Sequence, residues 1–367
     1  MHLTLSLTHN CNLSCSYCYA GVKKNVVMSR ETAIDAVEMA LAVRDTRRFE
    51  VGFFGGEPLL EWDLLTGIIG YVQQRCETLL RKYAFTLTTN GTLLTNDKMK
   101  FLRDAGCYMA VSIDGNRPMH DCIRRYSNGG SSWDACRTGL ETALALDAST
   151  ETITVVNPLN VGHCADGAAW LADTAGVTLI SINPDFYTSW NPAQLALLAG
   201  QMERITDHFI ARYRAGKPLR ISFIFNKVIA RLKGGLACGD HCGFGRREIA
   251  VAPSGRIYPC ERLVGNDTDD AVCIGTVAEG IDGEKVRALH ANRAPESPAC
   301  VHCSIRTVCQ NSCGCTNYLI TGNAGKVDGL VCFFERTATK AADRAAKTLF
   351  NEKNRWFLRD YYGDDGR

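Results

Sequence analysis

The 367-residue sequence lacks several features that would assign it to a membrane, a polymer or an export route. No apolar run reaches 18 residues, which excludes a membrane-spanning helix of ordinary length. Its 41 Lys and Arg nearly balance its 39 Asp and Glu, and there is no basic run, so we expect no nucleic-acid or membrane partner. The first residues look like a strand rather than a signal peptide, and we therefore expect a cytoplasmic protein.

Cysteine, by contrast, is abundant. Eighteen cysteines without a secretion signal favour metal ligation over disulfides. Cys11, Cys15 and Cys18 are separated by three and then two residues, so they fit on one loop. Converging thiolates bind soft metals, and an iron–sulfur cube held by three cysteines leaves its fourth iron open to a small molecule. Zinc, the alternative, would require four ligands and usually pairs two short Cys or His motifs.

Short β-branched runs alternate with amphipathic helical stretches over residues 1–225, which predicts an α/β fold. The predicted strands are His2–Leu7, Glu50–Phe54, Ala84–Thr89, Tyr108–Ile113, Ile153–Val156 and Thr178–Ile182. The predicted helices are 62–81, 96–105, 132–147, 166–175 and 192–215, preceded by one that Ser29 caps. Six βα repeats fit a partial (β/α)6 barrel, in which loops at the carboxyl ends of the strands carry the chemistry.

The cysteine loop resembles the CxxxCxxC signature of radical S-adenosylmethionine (SAM) enzymes, with Tyr17 as the aromatic residue before the third cysteine. The resemblance implies a 4Fe–4S cluster whose open iron chelates SAM, and reductive cleavage of SAM to a 5′-deoxyadenosyl radical that takes hydrogen from a substrate. It also implies SAM or substrate contacts from the loops that follow the strands. These candidate residues, with Tyr17, are Gly55, Gly56, Glu57, Asn90, Ser112, Arg124, Asn157 and Asn183.

In the last third of the chain cysteines become dense and helical periodicity fades. Two short β-runs around Pro253-Ser254-Gly255 predict a hairpin. The cysteines then follow the pattern Cys300-x2-Cys303-x5-Cys309-x3-Cys313 and end with Cys332. The composite pattern resembles the SPASM domain, the auxiliary-cluster extension of radical SAM enzymes that modify peptides. A zinc ribbon is the alternative interpretation of this region.

The SPASM resemblance implies two auxiliary 4Fe–4S clusters, three clusters in all, and two fully ligated cubes need eight thiolates. The implied ligands are Cys238, Cys242, Cys260 and Cys313 for the first cluster, and Cys300, Cys303, Cys309 and Cys332 for the second. The spacing from Cys238 to Cys242 is shorter than in sulfatase maturases, so Cys315 competes for the same place, or one iron stays open. The implied domains are the barrel over 1–225, the SPASM domain over 226–335 and a helical tail over 336–367, which we expect to dock on the barrel.

The implied activity is that of a peptide maturase that oxidises a peptide or protein, for example by forming a thioether, carbon–carbon or carbon–oxygen crosslink. Glu261 occupies the position of an Asp that is the proposed base in sulfatase maturases, although a salt bridge to Arg262 or Arg256 would explain it equally. The alternatives are a sulfatase maturase that forms formylglycine from Ser or Cys, and an iron–sulfur protein for electron transfer or sensing. Expected partners are the substrate and an electron donor such as flavodoxin or ferredoxin. No winged-helix domain fits before the first strand, so either a separate protein recognises a leader peptide or the barrel itself recognises the substrate.

Overall fold

The computed structural model describes residues 1–43, 48–236, 242–291 and 298–363. Within them, eleven strands form a single sheet. The strands are β1 His2–Ser6, β2 Arg48–Phe54, β3 Lys82–Thr89, β4 Cys107–Ser112, β5 Glu151–Val156, β6 Leu179–Pro184, β7 Arg220–Ile221, β8 Glu248–Val251, β9 Arg256–Tyr258, β10 Gly275–Thr276 and β11 Gly280–Ile281. Their order across the sheet is β11-β10-β9-β8-β1-β2-β3-β4-β5-β6-β7.

Strands β1 to β7 are parallel and adjacent in chain order, as repeated βα units require. The six predicted strands are confirmed, with ends that differ by one or two residues. The helices are α1 Arg30–Leu41, α2 Trp62–Thr78, α3 Asn96–Asp104, α4 Arg117–His120, α5 Trp133–Leu146, α6 Cys164–Asp173, α7 Pro192–Arg214, α8 Ser222–Leu232, α9 Gly283–Ala291, α10 Pro298–Val301, α11 Gly314–Thr321, α12 Gly329–Asn351 and α13 Arg355–Tyr362. Ser29 caps α1 as predicted, because its hydroxyl accepts a hydrogen bond from the Thr32 amide at 2.9 Å.

The predicted hairpin is present and extends the barrel sheet. Strands β8 and β9 pair antiparallel, and β8 pairs parallel with β1, so that Glu248 lies opposite His2. The side of β1 away from β2 is therefore covered by the cysteine-rich region. This pairing joins the two halves of the chain through backbone hydrogen bonds.

The C-terminal helices pack on the barrel helices α7 and α8. Phe357 is fully buried, with its ring 5.9 Å from that of Tyr213, and the Tyr361 ring lies 5.6 Å from that of Phe225. Tyr362 stays 37% exposed. Aromatic burial therefore attaches the end of the described chain to the barrel. No helix among the described residues is long and apolar enough to cross a membrane.

Candidate active site

A cavity of about 350 Å³ lies against the parallel strands. Alternate residues of several strands point into it, as expected because side chains i and i+2 of a strand share a face. The pairs are His2 and Thr4 of β1, Thr86 and Thr88 of β3, Ile153 and Val155 of β5, and Ser181 and Asn183 of β6. Loops that follow β1, β2 and β3 complete the wall. Most of the lining strand residues are polar, which suits a polar ligand.

The loop after β1 carries Cys11, Cys15 and Cys18, and all three line the cavity. The loop is held from within by a hydrogen bond from the Cys18 amide to the Cys15 carbonyl at 3.1 Å, and from outside by one from the Ser14 amide to the Arg125 carbonyl at 2.8 Å. Burial raises the pKa of Cys11 to about 11 and also raises that of Cys15, so these groups stay protonated until a metal displaces the proton. Three thiols on one cavity wall are the donor set for a 4Fe–4S cluster with one open iron.

Gly55 and Gly56 bring the end of β2 against this loop. The Gly56 amide donates to the Thr8 carbonyl at 2.8 Å, and the Glu57 amide donates to the Asn10 carbonyl at 2.9 Å. A Cβ atom on Gly56 would overlap the Asn10 carbonyl, and one on Gly55, whose φ is +125°, would lie 2.5 Å from the Thr8 carbonyl. Only glycine permits this approach, so the two residues place bare backbone beside the thiols.

The Glu57 carboxylate is 1% exposed and joins the ends of β2 and β3. It accepts hydrogen bonds from the Leu59 amide at 3.0 Å, the Thr89 hydroxyl at 2.7 Å and the Asn90 amide at 2.8 Å. Burial raises its pKa, and these donors oppose the rise. A carboxylate offers about four acceptor positions, so one is left for a donor in the cavity.

A buried polar chain connects the cysteine loop to the end of β4. The Tyr17 hydroxyl donates to Asp114 Oδ2 at 2.8 Å, and the Arg124 guanidinium donates to the Tyr17 hydroxyl at 2.5 Å. Burial raises the pKa of Asp114 to about 6, and the Arg124 charge opposes that rise. Arg124 lines the cavity at 6% exposure, and its Nε has no hydrogen-bond partner among the described residues. A buried guanidinium with a spare donor fits an anionic group such as a carboxylate. The sequence did not predict that Asp114 would hydrogen-bond to Tyr17 in this series of buried side chains.

The remaining predicted SAM contacts divide into two groups. Asn90, Ser112 and Asn183 line the cavity, and Asn90 Nδ2 donates to Asn12 Oδ1 at 2.9 Å within the cysteine loop. The side chain of Asn157 instead donates to Asp185 Oδ2 at 2.8 Å, and Asn157 is not among the described residues that line the cavity. Its predicted contact with SAM or substrate therefore has no geometric support here.

The cavity is also lined by Glu261 and by two residues that the sequence did not assign to the site, Glu248 and Arg262. Glu261 Oε2 lies 3.3 Å from the Cys260 sulfur, whereas Arg262 donates to the Thr316 hydroxyl at 3.2 Å, and no salt bridge of Glu261 is present among the described residues. Burial and the neighbouring Glu261 raise the pKa of Glu248 to about 7. Two carboxyl groups therefore line the same cavity as the three thiols.

The auxiliary cysteines gather in two places. The thiols of Cys260, Cys313 and Cys315 lie together, with 3.5 Å between the sulfurs of Cys313 and Cys315. Cys260 and Cys315 are buried, and Cys313 is partly buried. Cys238 lies outside the described residues, and Cys242 is exposed. The implied second set is near α12. Its members are Cys300, Cys303, Cys309 and Cys332.

Within the second set, Cys332 interacts with Cys300 and Cys303, and Arg336 donates to the Cys303 sulfur at 3.3 Å. Burial raises the pKa of Cys309 to about 12, and the nearby Glu335 carboxylate adds to that rise. Both auxiliary sets thus have charged side chains next to their thiols. That these cysteines bind iron–sulfur clusters remains a prediction.

Comparison with known proteins agrees with this site. Residues 5–166 match the family model of the radical SAM superfamily. The chain is 30% identical over 182 residues to an uncharacterized protein of Methanocaldococcus jannaschii, covering 50% of this chain and 62% of that protein. It is 25% identical to the PqqA peptide cyclase of Bradyrhizobium diazoefficiens over 98% of this chain and 93% of that one.

Two further matches concern sulfatase maturation and the fold. The serine-type anaerobic sulfatase-maturating enzyme of Klebsiella aerogenes is 24% identical over 83% of this chain and 76% of its own length. The solved structure of native anSMEcpe with bound AdoMet superimposes with a TM-score of 0.79 at 18% identity, covering 96% of this chain and 99% of that one. From the matched segment, the three thiols and the glycine pair, we conclude that residues 5–166 are a radical SAM domain.

Proposed function

We propose that this chain is a peptide maturase that cleaves SAM at a 4Fe–4S cluster on Cys11, Cys15 and Cys18 and removes hydrogen from a peptide or protein side chain. The observation that carries the proposal is the cavity itself. The same cavity is lined by the three thiols, the glycine backbone, Arg124 with its spare donor, and Glu261, which lies beside the Cys260 thiol. The names of two relatives that match over most of their length, a peptide cyclase and a sulfatase-maturating enzyme, support a peptide or protein as substrate.

When bound, the cluster and SAM supply the radical that breaks an unactivated C–H bond, which no side chain can do. The protein's residues bind and orient. Arg124 offers its free Nε–H to the carboxylate of SAM, and Glu57 offers its one unused acceptor position to the ammonium group. Tyr17, held by Asp114, fixes the position of Arg124. Glu261 takes up the proton that an oxidised substrate releases.

Two auxiliary 4Fe–4S clusters on the C-terminal cysteines complete the proposal. Net oxidation of the substrate requires an electron exit, and the sulfur of Cys260, one of the first auxiliary thiols, lies 3.3 Å from Glu261, which supports that role. The external electron donor would be a flavodoxin or ferredoxin.

The test compares Cys15→Ala, Cys309→Ala and Cys164→Ala in the anaerobically reconstituted full chain. Cys15→Ala should abolish reductive formation of 5′-deoxyadenosine from SAM, because it removes a ligand of the radical cluster. Cys309→Ala should retain some 5′-deoxyadenosine formation and lose modified peptide. Cys164, buried in α6, is the control and should behave as wild type. If wild type leaves SAM intact under reduction, the proposal is wrong, and an electron-transfer or sensing role takes its place. Equal behaviour of Cys15→Ala and Cys309→Ala would remove the division of roles between the clusters.

A sulfatase maturase is the second candidate, favoured by the carboxylate at position 261 and by the sequence similarity to the sulfatase-maturating enzyme of Klebsiella aerogenes. Incubation with a Ser- or Cys-containing sulfatase-motif peptide separates the two. An aldehyde product identifies formylglycine formation, whereas a loss of two hydrogens per crosslink in a co-expressed candidate peptide identifies a crosslinking maturase. No turnover of the sulfatase-motif peptide rejects the second candidate.

A further inference from the structure

We infer that Cys315 is the fourth thiolate of the first auxiliary cluster, together with Cys242, Cys260 and Cys313, and that Cys238 is not needed for it. The inference rests on the proposed function, which supplies the cluster, and it changes the ligand set that the sequence pattern implies. Spacing alone leaves Cys238 and Cys315 as competitors for one ligand position, whereas the fold brings Cys315 next to two implied ligands.

Cys315 contacts two implied ligands that come from different parts of the chain. Cys260 follows β9, whereas Cys313 caps the start of α11. The sulfur of Cys315 lies 3.5 Å from that of Cys313 and is also hydrogen-bonded to Cys260. Cys315 is 3% exposed and Cys260 6%. The three sulfurs therefore form one cluster, with the buried Cys315 between Cys260 and the partly buried Cys313.

Other buried thiols outside the cysteine motifs have ordinary partners. Cys273 donates to the Gly275 carbonyl at 3.2 Å, and Cys136 donates to the Ser132 hydroxyl at 3.8 Å. Such groups are small buried hydrophobes with a satisfied S–H. Cys315 differs because its neighbours are thiols, and closely packed thiols are the donor set that binds iron as thiolates.

The start of α11 is built to hold a ligand at position 315. Gly314 lies between the two cysteines, and a Cβ atom there would come within 2.8 Å of the Phe244 ring, so glycine lets the first turn lie against this ring. Cys315 is the second residue of the eight-residue helix, where the free backbone N–H groups favour a thiolate. Cysteine side chains have alternative staggered rotamers, so the two sulfurs need not stay 3.5 Å apart when iron binds.

The charge of the surroundings fits as well. A cube with four thiolates is anionic, and the Arg262 guanidinium interacts with both Cys313 and Cys315. Arg262 makes no ion pair with a carboxylate among the described residues, and it is held by the Thr316 hydroxyl at 3.2 Å and by the Tyr19 ring at 5.7 Å. Arg262 also interacts with the nearby Glu248 carboxyl, so an anion at the thiols would share the Arg262 charge with that group.

The experiment measures iron and acid-labile sulfide in the anaerobically reconstituted full chain, together with the EPR spectra of the reduced clusters. Wild type should hold about 12 irons, four in each of three cubes. Cys315→Ala should hold about eight, or show a three-iron signature. Cys238→Ala and the buried control Cys273→Ala should keep about 12 irons with wild-type spectra. Because the radical cluster is separate, Cys315→Ala should still form 5′-deoxyadenosine from SAM, which shows that the barrel is folded.

Loss of iron in Cys238→Ala overturns the inference, as does wild-type iron content with an unaltered spectrum in Cys315→Ala. If Cys315→Ala does not fold, Cys315→Ser is used instead. Serine keeps a side chain of nearly the same size but replaces the sulfur donor by oxygen, which changes the spectrum of a cluster bound there. The inference then requires an altered spectrum of one auxiliary cluster in Cys315→Ser and an unaltered one in Cys238→Ser. A wild-type protein with only about four irons, or with zinc, would instead contradict the proposed auxiliary clusters themselves.

Discussion

A buried ion pair between the barrel and the C-terminal region should contribute strongly to stability. Lys227 on α8 and Glu335 on α12 approach to 2.6 Å, with side chains 5% and 9% exposed. Lys227 Nζ also donates to the Val308 carbonyl at 2.8 Å, and Glu335 accepts from the Gln310 amide at 2.7 Å. The pair therefore fixes the backbone on both sides of Cys309.

Replacement of Lys227 by Met should lower the free energy of unfolding by about 3–5 kcal/mol, because it leaves the Glu335 carboxylate buried without its counter-charge. The chain supplies a matched control in Arg231 and Asp343, which join the same two helices at 3.1 Å with side chains 40% and 47% exposed. Arg231→Met should cost at most about 1 kcal/mol, since solvent screens an exposed pair. The double variant Lys227→Met/Glu335→Leu should recover much of the loss, because no unpaired charge remains.

Urea unfolding followed by circular dichroism, with the slope compared among variants, measures these differences. Iron content of the folded variants provides a second readout, because a displaced Cys309 would lower occupancy of the second auxiliary site. If Lys227→Met and Arg231→Met lowered the free energy of unfolding equally, burial would not be the reason that the Lys227–Glu335 pair stabilises the fold. A double variant less stable than Lys227→Met would refute the role of the unpaired carboxylate.

Three further predictions concern pH, packing and catalysis. Burial lowers the pKa of His120 to about 2, so acid protonates this histidine first in the unfolded chain, and stability should fall as pH drops below about 6.5. His120→Gln should reduce the pH dependence of the unfolding free energy by about 1.2 kcal/mol between pH 6 and 5. An unchanged slope in urea titrations would contradict this. Phe357→Ala should lower the free energy of unfolding by about 3–5 kcal/mol, because its ring is fully buried. Tyr362→Ala should lower it by less than about 1.5 kcal/mol, because Tyr362 is 37% exposed; thermal unfolding measures both. Glu261→Gln should lower modified peptide per SAM cleaved by about 10²-fold or more, with partial recovery in Glu261→Asp; an unchanged ratio by mass spectrometry would remove Glu261 as the base.

The regular part of the fold was predictable because its signals are local. The six main strands have β-branched alternation long enough to show a period of two, and the helices between them have apolar faces. Strands β7, β10 and β11 have two residues each, which is too short for any period, and they form because neighbouring strands supply partners. The hairpin was visible through its turn residues, but its parallel pairing with β1 was not, since pairing between distant segments leaves no local mark.

The candidate site divides in the same way. The cysteine loop and the Gly55-Gly56 pair are contiguous motifs, and the structure brings them to one cavity. Glu248 could not be predicted as a cavity residue from the sequence, because it faces the cavity only through its pairing with His2 on β1. Asn157 had the right place at a strand end, but its side chain is bound by Asp185. Which side chains face a cavity depends on such long-range contacts rather than on spacing.

The pairing of β8 with β1 limits how this chain could be divided. Removal of the cysteine-rich region would uncover the outer backbone donors and acceptors of β1, whose Leu3 and Leu5 are otherwise fully buried. An uncovered apolar edge strand recruits strands from other molecules. A fragment that ends before β8 should therefore self-associate instead of acting as a minimal SAM-cleaving unit. A hinge motion between the two regions would have to break the backbone hydrogen bonds between β1 and β8.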